Sequence, residues 1–231
     1  MKKFYEFKKI SEEETELLIY GELTSSRWCE SDVSSYDFAK ELNAIDTDLR
    51  VRINSYGGEA SEGLAIYSLL KSFNHKVTTI CDGFACSCAS VIFMAGQERI
   101  MNQSSLLLIH NAWTYAEGDS NALRKKADDL EKITQPSIDI YTSVTGLKES
   151  VIKEMMDEEK WITPQEALEM GFATKVLDDG AKQSINEMYL NHQVLANKLL
   201  LKQVQELETK IEDLQKNEPK NAWSSFFNSK K

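Results

Sequence analysis

An alternation of strand-like and helix-like segments over residues 17–110 constrains the fold more than any other feature of this chain. Four short segments combine β-branched and other apolar residues with turn formers at their ends, as strands do: 17–21, 49–53, 76–81 and 106–109. Between them, 33–43 and 60–73 have the spacing of apolar residues that is typical of helices. Strands that alternate with helices predict an α/β fold built on a parallel sheet.

The second half of the chain predicts three further helices. A long helix is expected over 120–144, with Asp119 or Ser120 as its N-cap, and another over 148–156. The sequence Thr163-Pro164-Gln165-Glu166 supplies an N-cap, a proline in the first turn and a capping-box glutamate, and Gly171 is expected to close that short helix.

Composition excludes several classes of partner. The formal net charge of −10 argues against nucleic acid, which is bound through clustered Lys and Arg. No apolar stretch is long enough to cross a bilayer and no leader-like run follows Met1, so we expect no membrane contact and a cytoplasmic location. Cys81, Cys86 and Cys88 lack the spacing of a zinc site, so they are interpreted as reduced, buried residues, and neither metal nor cofactor is expected.

A change in composition near residue 181 divides the chain. We predict a catalytic domain over 1–180, a helical extension over 181–218 and a flexible C-terminus over 219–231. Apolar residues of the extension step by four and three, as in a heptad seam: Leu200, Val204, Leu207, Ile211 and Leu214. The seam favours a short coiled coil, and a surface helix packed on its own domain fits almost as well.

A serine in a run of small residues is the candidate nucleophile. Ser87 lies in Gly83-Phe84-Ala85-Cys86-Ser87-Cys88-Ala89-Ser90, where a helix is expected to begin just after a strand. There its hydroxyl would lie beside unsatisfied backbone N–H groups, although small residues at a helix start also suit tight packing. Gly57-Gly58 follows another predicted strand and would aim a backbone N–H outward, or simply form a tight turn.

A base and a carboxylate complete this arrangement. Of three histidines, His110 directly follows the predicted strand 106–109, and active sites of α/β proteins collect at strand ends. A partly buried structural histidine is the alternative. Asp157, Glu158 and Glu159 offer carboxylates that could orient its imidazole, or they form a solvated acidic surface.

Four motifs, taken in order over roughly residues 16–177, resemble the Clp peptidase family of ring-forming serine peptidases, and especially its phage and prophage members. Asn54-Ser55-Tyr56-Gly57-Gly58 is similar to the Asn-Ser-Pro-Gly-Gly turn of the family, and the segment 83–89 to its nucleophile motif. Leu108-Ile109-His110-Asn111 looks like its Met-Ile-His stretch. Residues 159–163 and 171–173 resemble the Glu-Thr-Trp and Gly-Phe-Ala motifs of the phage group.

The resemblance implies a Ser-His-Glu triad. Ser87 would be the nucleophile, His110 the general base and acid, and Glu159 the orienting carboxylate, where housekeeping members of the family have Asp; Glu158 or Asp157 could substitute for it. The backbone N–H groups of Gly58 and Cys88 would form the oxyanion hole. The departures from the family pattern, such as Tyr56 for Pro and Cys88 for Met, remove no reacting group.

The resemblance also implies a β-α-β spiral fold, shared with crotonases, and a projecting handle through which subunits form homo-oligomeric rings. The segment 112–118 would be the strand of the handle and 120–144 its helix. A protein or peptide substrate would bind as an added strand. The residues expected to bind it are Gly57, Glu59, Ala60, Asn111, Ala112 and Trp113.

We therefore predict a serine endopeptidase of the phage type that removes scaffold or capsid-precursor segments during prohead assembly, either in the host cytoplasm or inside the prohead. The helical extension would contact scaffold. The alternatives are a housekeeping subunit that works under an ATPase, a catalytically silent ring or scaffold subunit, and an acyl-CoA enzyme of the crotonase type.

Overall fold

The computed structural model describes residues 4–24 and 35–177. The strands are β1 Tyr5–Lys9, β2 Glu14–Leu23, β3 Asp48–Gly58, β4 Val77–Cys86, β5 Glu98–Asn102, β6 Leu106–Leu108, β7 Trp161–Ile162 and β8 Lys175–Leu177. The helices are α1 Ser35–Leu42, α2 Ala60–Lys71, α3 Cys88–Phe93, α4 Ser120–Thr145, α5 Glu149–Asp157 and α6 Pro164–Glu169.

A mostly parallel sheet organises these elements, as the alternation of strands and helices predicts. Its strand order is β1-β2-β3-β4-β5-β8, and β6 pairs with both β4 and β7 off this path. The pairs β2–β3, β3–β4, β4–β5, β4–β6 and β5–β8 are parallel, whereas β1–β2 and β6–β7 are antiparallel. Because parallel strands end at the same edge, the segments that follow β3, β4 and β6 are brought to one side of the molecule.

The core lies between the sheet and its helices. Alternate residues of the strands are fully buried, as in Leu17, Ile19, Val51 and Ile53. Helices α2 and α3 pack against each other at Gly63, where an added Cβ would lie 2.4 Å from the Cys88 Cβ. The position therefore requires glycine, and the close approach holds α3 firmly under the edge of the sheet.

The opposite face of the sheet carries paired charges, and we call it the open face. Arg50 pairs with Glu14 at 2.7 Å, and Lys76 pairs with Glu98 at 3.1 Å. The Arg52 guanidinium donates through Nε to Asp82 at 2.8 Å. All of these side chains except Asp82 line a groove on this face, and each of the three cations has an acidic neighbour.

Several helix ends follow the predicted local chemistry. The Asp119 carboxylate accepts hydrogen bonds from the N–H groups of Asn121 and Ala122, and α4 ends at Gly146 in the left-handed conformation. Thr163 and Glu166 form a reciprocal capping box at the start of α6. The predicted boundaries of α4 and α6 are confirmed to within a few residues.

Three expectations need correction or lie beyond the described residues. Strands β3 and β4 run to Gly58 and Cys86, five residues past the ends predicted for them, because each continues to contact a neighbouring strand. Residues 112–118 form no strand and pair with no strand among the described residues, so the strand predicted for the handle is not seen there. The predicted extension 181–218 and terminus 219–231 lie outside the described residues.

Candidate active site

Ser87 occupies a strained turn between β4 and α3. Its backbone adopts φ 55° and ψ −132°, which is rare for a residue with a side chain and costs on the order of 1–3 kcal/mol. Its N–H donates to the Leu108 carbonyl at 2.8 Å, and its carbonyl accepts from the N–H of Ser90 at 2.9 Å. The serine hydroxyl makes no helix-capping bond, so it is free of that structural task.

Gly57 packs directly against this turn. A Cβ at position 57 would lie 2.7 Å from both the Ser87 Cβ and the Cys86 carbonyl oxygen, and Gly57 has φ 88°. The Gly57 N–H donates to the hydroxyl of buried Ser55 at 3.1 Å. Gly57 thus reaches the serine because it has no side chain, a contact that the sequence indicates only as a possible turn.

The backbone nitrogen of Cys88 lies beside the glycine pair. A Cβ added at Gly57 would lie 3.1 Å from the Cys88 nitrogen. Burial raises the pKa of the Cys88 thiol to about 12. The two residues predicted to donate to an oxyanion hole, Gly58 and Cys88, therefore belong to backbone segments that are in contact.

Strand β6 brings three separate segments side by side. Leu108 pairs with Cys86 on β4 and with Trp161 on β7, so β6 lies between them. The Ile109 N–H continues the antiparallel ladder by donating to the Lys160 carbonyl at 3.2 Å. His110 and Glu159 are the next residues beyond this bonded pair, and the backbone turns away from the extended conformation at Glu159, where φ is 51°.

The residues predicted as base and carboxylate are less buried than the residues that flank Ser87. His110 is half-buried, and Glu159 is exposed with φ 51°. Within residues 4–24 and 35–177, no hydrogen bond joins His110 to Ser87 or to a carboxylate. Catalytic hydrogen bonds are often long without substrate and tighten when it binds.

A side-chain hydrogen bond joins the segment that follows His110 to the end of α5. The Asn111 amide donates to the Asp157 carboxylate at 2.7 Å, in an exposed position. The Asp157 carboxylate is therefore already hydrogen-bonded to Asn111, the residue that follows His110. This contact links the end of β6 to the end of α5, and the sequence alone does not reveal it.

The other predicted substrate residues fall into two groups. Glu59 is the N-cap of α2 and accepts from the Thr24 hydroxyl at 3.0 Å, while Ala60 is the first residue of that helix. Strand β2 already occupies one edge of the glycine pair, since Leu23 pairs with Gly58. A substrate strand would need the other edge of Gly58, and a helical Ala60 could not extend it.

The second group follows His110. The Ala112 N–H donates to the Thr134 hydroxyl at 3.1 Å, which ties this segment to α4. Trp113 is 60% exposed and makes an edge contact with the Tyr115 ring at 5.4 Å. A large exposed aromatic residue beside the site is available for contact with a peptide.

Two buried hydroxyls behind Ser87 were not predicted. Ser90 and Tyr141 share a hydrogen bond of 2.7 Å, and Ser90 Oγ also donates to the Ser87 carbonyl at 2.6 Å. The aromatic residues Tyr56, Phe84 and Trp161 form a second unpredicted cluster, with ring centroids 5.5 and 5.9 Å apart. Both groupings join residues distant in sequence, which periodicity cannot detect.

The described residues contain no group of three or more His, Cys, Asp or Glu side chains that could hold a metal ion. None of their helices is both long enough and apolar enough to cross a bilayer.

The fold and the site are those of an α/β protein with a serine held at a strained strand-to-helix turn. The Clp protease family model matches residues 14–180, and this chain belongs to that family. Membership implies a serine-type peptidase and confirms the coarser part of the resemblance seen in the sequence.

Relatives from several bacteria agree with this membership. An ATP-dependent Clp protease proteolytic subunit from Deinococcus radiodurans is 32% identical over 135 residues, which cover 58% of this chain and 66% of that protein. The subunit of the same name from Bacteroides fragilis is 31% identical over 140 residues, covering 59% and 68%. The matched region thus spans about two thirds of each relative.

A solved structure shows the same fold. A point mutant of ClpP1 from Listeria monocytogenes superposes with a TM-score of 0.60 at 19% identity, covering 71% of this chain and 91% of that one. The predicted ClpP-like α/β architecture is therefore confirmed for the described part of the chain.

Proposed function

We propose that this chain is a serine endopeptidase in which Ser87, His110 and Glu159 form the catalytic triad. The observation that carries the proposal is the β4–β6–β7 ladder. The Ser87 N–H bonds to Leu108, the Ile109 N–H bonds to Lys160, and the three reacting side chains belong to the ends of these strands. This ladder supports the proposal because it brings the backbones of three segments far apart in sequence side by side.

In the proposed mechanism, His110 takes the proton of the Ser87 hydroxyl as the Ser87 oxygen attacks the substrate carbonyl. The N–H groups of Gly58 and Cys88 stabilise the negative charge that develops on the carbonyl oxygen. His110 then gives the proton to the leaving amine, and water hydrolyses the acyl-enzyme by the same steps. Because the turn at Ser87 is already strained into place, little reorganisation accompanies the attack.

Among the three acidic candidates, the contacts favour Glu159. The pairing of Leu108 with Trp161 and the bond from Ile109 to Lys160 lead towards His110 and Glu159, whereas Asp157 accepts a hydrogen bond from Asn111. Glu158 is the C-cap of α5, and its N–H donates to the Glu154 carbonyl. Glu159 in this role would hold the imidazole tautomer and stabilise the imidazolium form.

Peptide hydrolysis and active-site labelling test this proposal together. Wild-type protein should cleave an unfolded protein and react with a fluorophosphonate probe at Ser87, and Ser87→Ala should lose both while keeping its oligomeric state. Ser68→Ala, which removes an exposed hydroxyl on α2, serves as the control and should behave as wild type. Turnover retained by Ser87→Ala in a pure preparation would contradict the proposal. So would a wild-type protein that never reacts with the probe, because a silent ring or scaffold subunit, or a crotonase-type enzyme, would behave in that way.

We further propose a homo-oligomeric ring that works in phage prohead maturation on capsid or scaffold precursors. The support is sequence-based: Glu in place of Asp at position 159, the phage-like motifs around Trp161 and Gly171, and the heptad spacing within 181–218. Deleting residues 181–231 should leave hydrolysis of an unfolded protein intact and abolish incorporation into proheads. Unchanged incorporation would end the idea that the extension contacts scaffold.

An ATPase-coupled subunit is the second candidate, favoured by the names of the relatives from Deinococcus radiodurans and Bacteroides fragilis. It predicts slow cleavage of folded substrates by the isolated chain and strong stimulation by a hexameric unfoldase with ATP. Co-purification with such an ATPase would favour this candidate over the prohead role, and equal cleavage of the capsid precursor without ATP would favour the prohead role.

A further inference from the structure

Behind the nucleophile, a pair of buried hydroxyls connects the Ser87 backbone to the long helix α4. Ser90 is fully buried on α3, and Tyr141 is 2% exposed on α4. Ser90 Oγ lies 2.6 Å from the Ser87 carbonyl oxygen and 2.7 Å from the Tyr141 hydroxyl. The Tyr141 ring packs against Phe172, with the ring centroids 5.8 Å apart, which holds the phenol in place.

The directions of these hydrogen bonds follow from the groups involved. A carbonyl oxygen only accepts, so the Ser90 hydroxyl donates its one proton to Ser87. The Tyr141 hydroxyl must then donate to Ser90 Oγ. Burial raises the pKa of Tyr141, so the phenol keeps its proton at working pH. The chain of donors runs in one direction, from Tyr141 to Ser90 to the Ser87 carbonyl.

The Ser87 carbonyl shares a peptide unit with the Cys88 N–H, which is one of the two proposed oxyanion donors. The peptide unit is planar and trans, so its C=O and N–H point in opposite directions. A hydrogen bond that fixes the carbonyl therefore also fixes where the Cys88 N–H points. The Ser90 N–H also donates to this carbonyl, at 2.9 Å, so the hydroxyl is a second anchor. Without it, one bond instead of two restrains the unit at a residue whose backbone is already strained.

A serine hydroxyl that bonds to a carbonyl three residues back is common in helices and by itself has no function. Tyr141 makes this case different, because a side chain from 51 residues further along the chain fixes the rotation of the Ser90 hydroxyl. We propose that Ser90 and Tyr141 are positioning residues that aim the Cys88 N–H into the oxyanion hole. This inference rests on the proposed peptidase function.

Single and double substitutions test the pair. Ser90→Ala and Tyr141→Phe should each lower kcat and the rate of fluorophosphonate labelling at Ser87 with KM little changed, by about 10- to 100-fold for Ser90→Ala and less for Tyr141→Phe. Ser90→Ala also leaves the buried Tyr141 hydroxyl without its partner and lowers the midpoint of thermal unfolding. The double variant Ser90→Ala/Tyr141→Phe removes both hydroxyls, so it should regain thermal stability without regaining kcat.

Thr79→Val is the matched control. Thr79 is fully buried, and its hydroxyl donates at 2.8 Å to the Phe93 carbonyl at the other end of α3, away from Ser87. This variant should lose stability and keep wild-type kcat. If the double variant recovers kcat together with stability, or if Ser90→Ala loses no more activity than Thr79→Val, the pair is merely structural and the inference is overturned. A wild-type protein that neither labels nor cleaves would instead overturn the proposed function beneath it.

Discussion

Strand β6 has the nucleophile segment, residues 86–88, on one side and the carboxylate segment, residues 157–160, on the other, and the two are held very differently. Around Ser87, the neighbours Cys86, Cys88 and Ala89 are buried, and Gly57 lies in direct contact. Around Glu159, residues 157–159 are exposed, and the side-chain contact of this segment with the histidine segment is one hydrogen bond between Asn111 and Asp157.

The contrast indicates a division of labour between the two segments. The nucleophile segment is preformed, because a strained backbone persists only where its surroundings determine it. The carboxylate segment has room to adjust, so the hydrogen bonds proposed for His110 would form as substrate arrives. Changes on the nucleophile side should therefore damage stability and activity together, whereas changes on the carboxylate side should have little effect on stability.

The largest effect is expected from Gly57→Ala. The new Cβ would lie 2.7 Å from the Cys86 carbonyl and the Ser87 Cβ, at a φ of 88° that disfavours alanine. We expect a loss of about 2–4 kcal/mol in the free energy of unfolding and a fall of about 100-fold or more in the labelling rate at Ser87. Denaturant unfolding and labelling with a fluorophosphonate measure the two effects.

Gly146→Ala is the control for that variant. Gly146 also has a positive φ, of 75°, but an added Cβ would meet no atom within 4 Å. It should cost about 1–2 kcal/mol from the backbone alone and leave labelling unchanged. Equal effects of the two substitutions on labelling would show that contact with the nucleophile segment is unimportant.

On the carboxylate side, Glu159→Gln should lower kcat by about 100-fold with a negligible change in unfolding free energy, because the side chain is exposed. Glu158→Gln, one position away, provides the matched control and should retain kcat within about twofold. Steady-state hydrolysis of a peptide distinguishes them. A larger loss in the Glu158 variant would transfer the triad role to that residue.

The burial of the Cys81 and Cys88 thiols predicts that the stability of the fold depends on pH. Burial raises the pKa of both the Cys81 and the Cys88 thiols to about 12, against 9.0 when exposed. Above pH 9 the unfolded chain loses these protons before the folded chain does, so stability falls as the pH rises from about 9 towards 12. Urea unfolding at several pH values would show this fall. Cys81→Ala/Cys88→Ala should make it less steep without removing it, because burial also raises the pKa of Cys86 and of Tyr141; an equally steep fall in that variant would assign it to other groups.

The smallest effect is expected from Asp157→Ala. This change removes the acceptor of an exposed hydrogen bond, which should cost about 0.5–1 kcal/mol or less and change kcat only a few-fold. Thermal unfolding and peptide hydrolysis check the two quantities. A loss as large as that of Glu159→Gln would mean that the carboxylate segment is held more tightly than its exposure indicates.

The sequence predicts most strongly the features that depend on neighbours in the chain. The caps at Asp119 and Thr163 were predictable because the residues that make them lie within one helical turn. The strand ends at Gly58 and Cys86 were not, since their length depends on pairing with β2 and β6.

The same distinction holds for the candidate site. Ser87 and Gly57-Gly58 belong to recognisable short motifs, yet only the structure brings Gly57 against Ser87. The bonds between Ser90 and Tyr141 and between Asn111 and Asp157 join residues 51 and 46 positions apart, and neither pair is distinguished in the sequence from ordinary polar residues. Polar contacts between distant elements leave no periodic signal.

The open face of the sheet is a surface on which non-specific association with other molecules is disfavoured. Arg50, Arg52 and Lys76 are already neutralised by acidic neighbours, so a chance partner would have to strip water from these charges without finding any of them in need of a counter-ion. In a crowded solution such a face favours separate molecules over non-specific clumps.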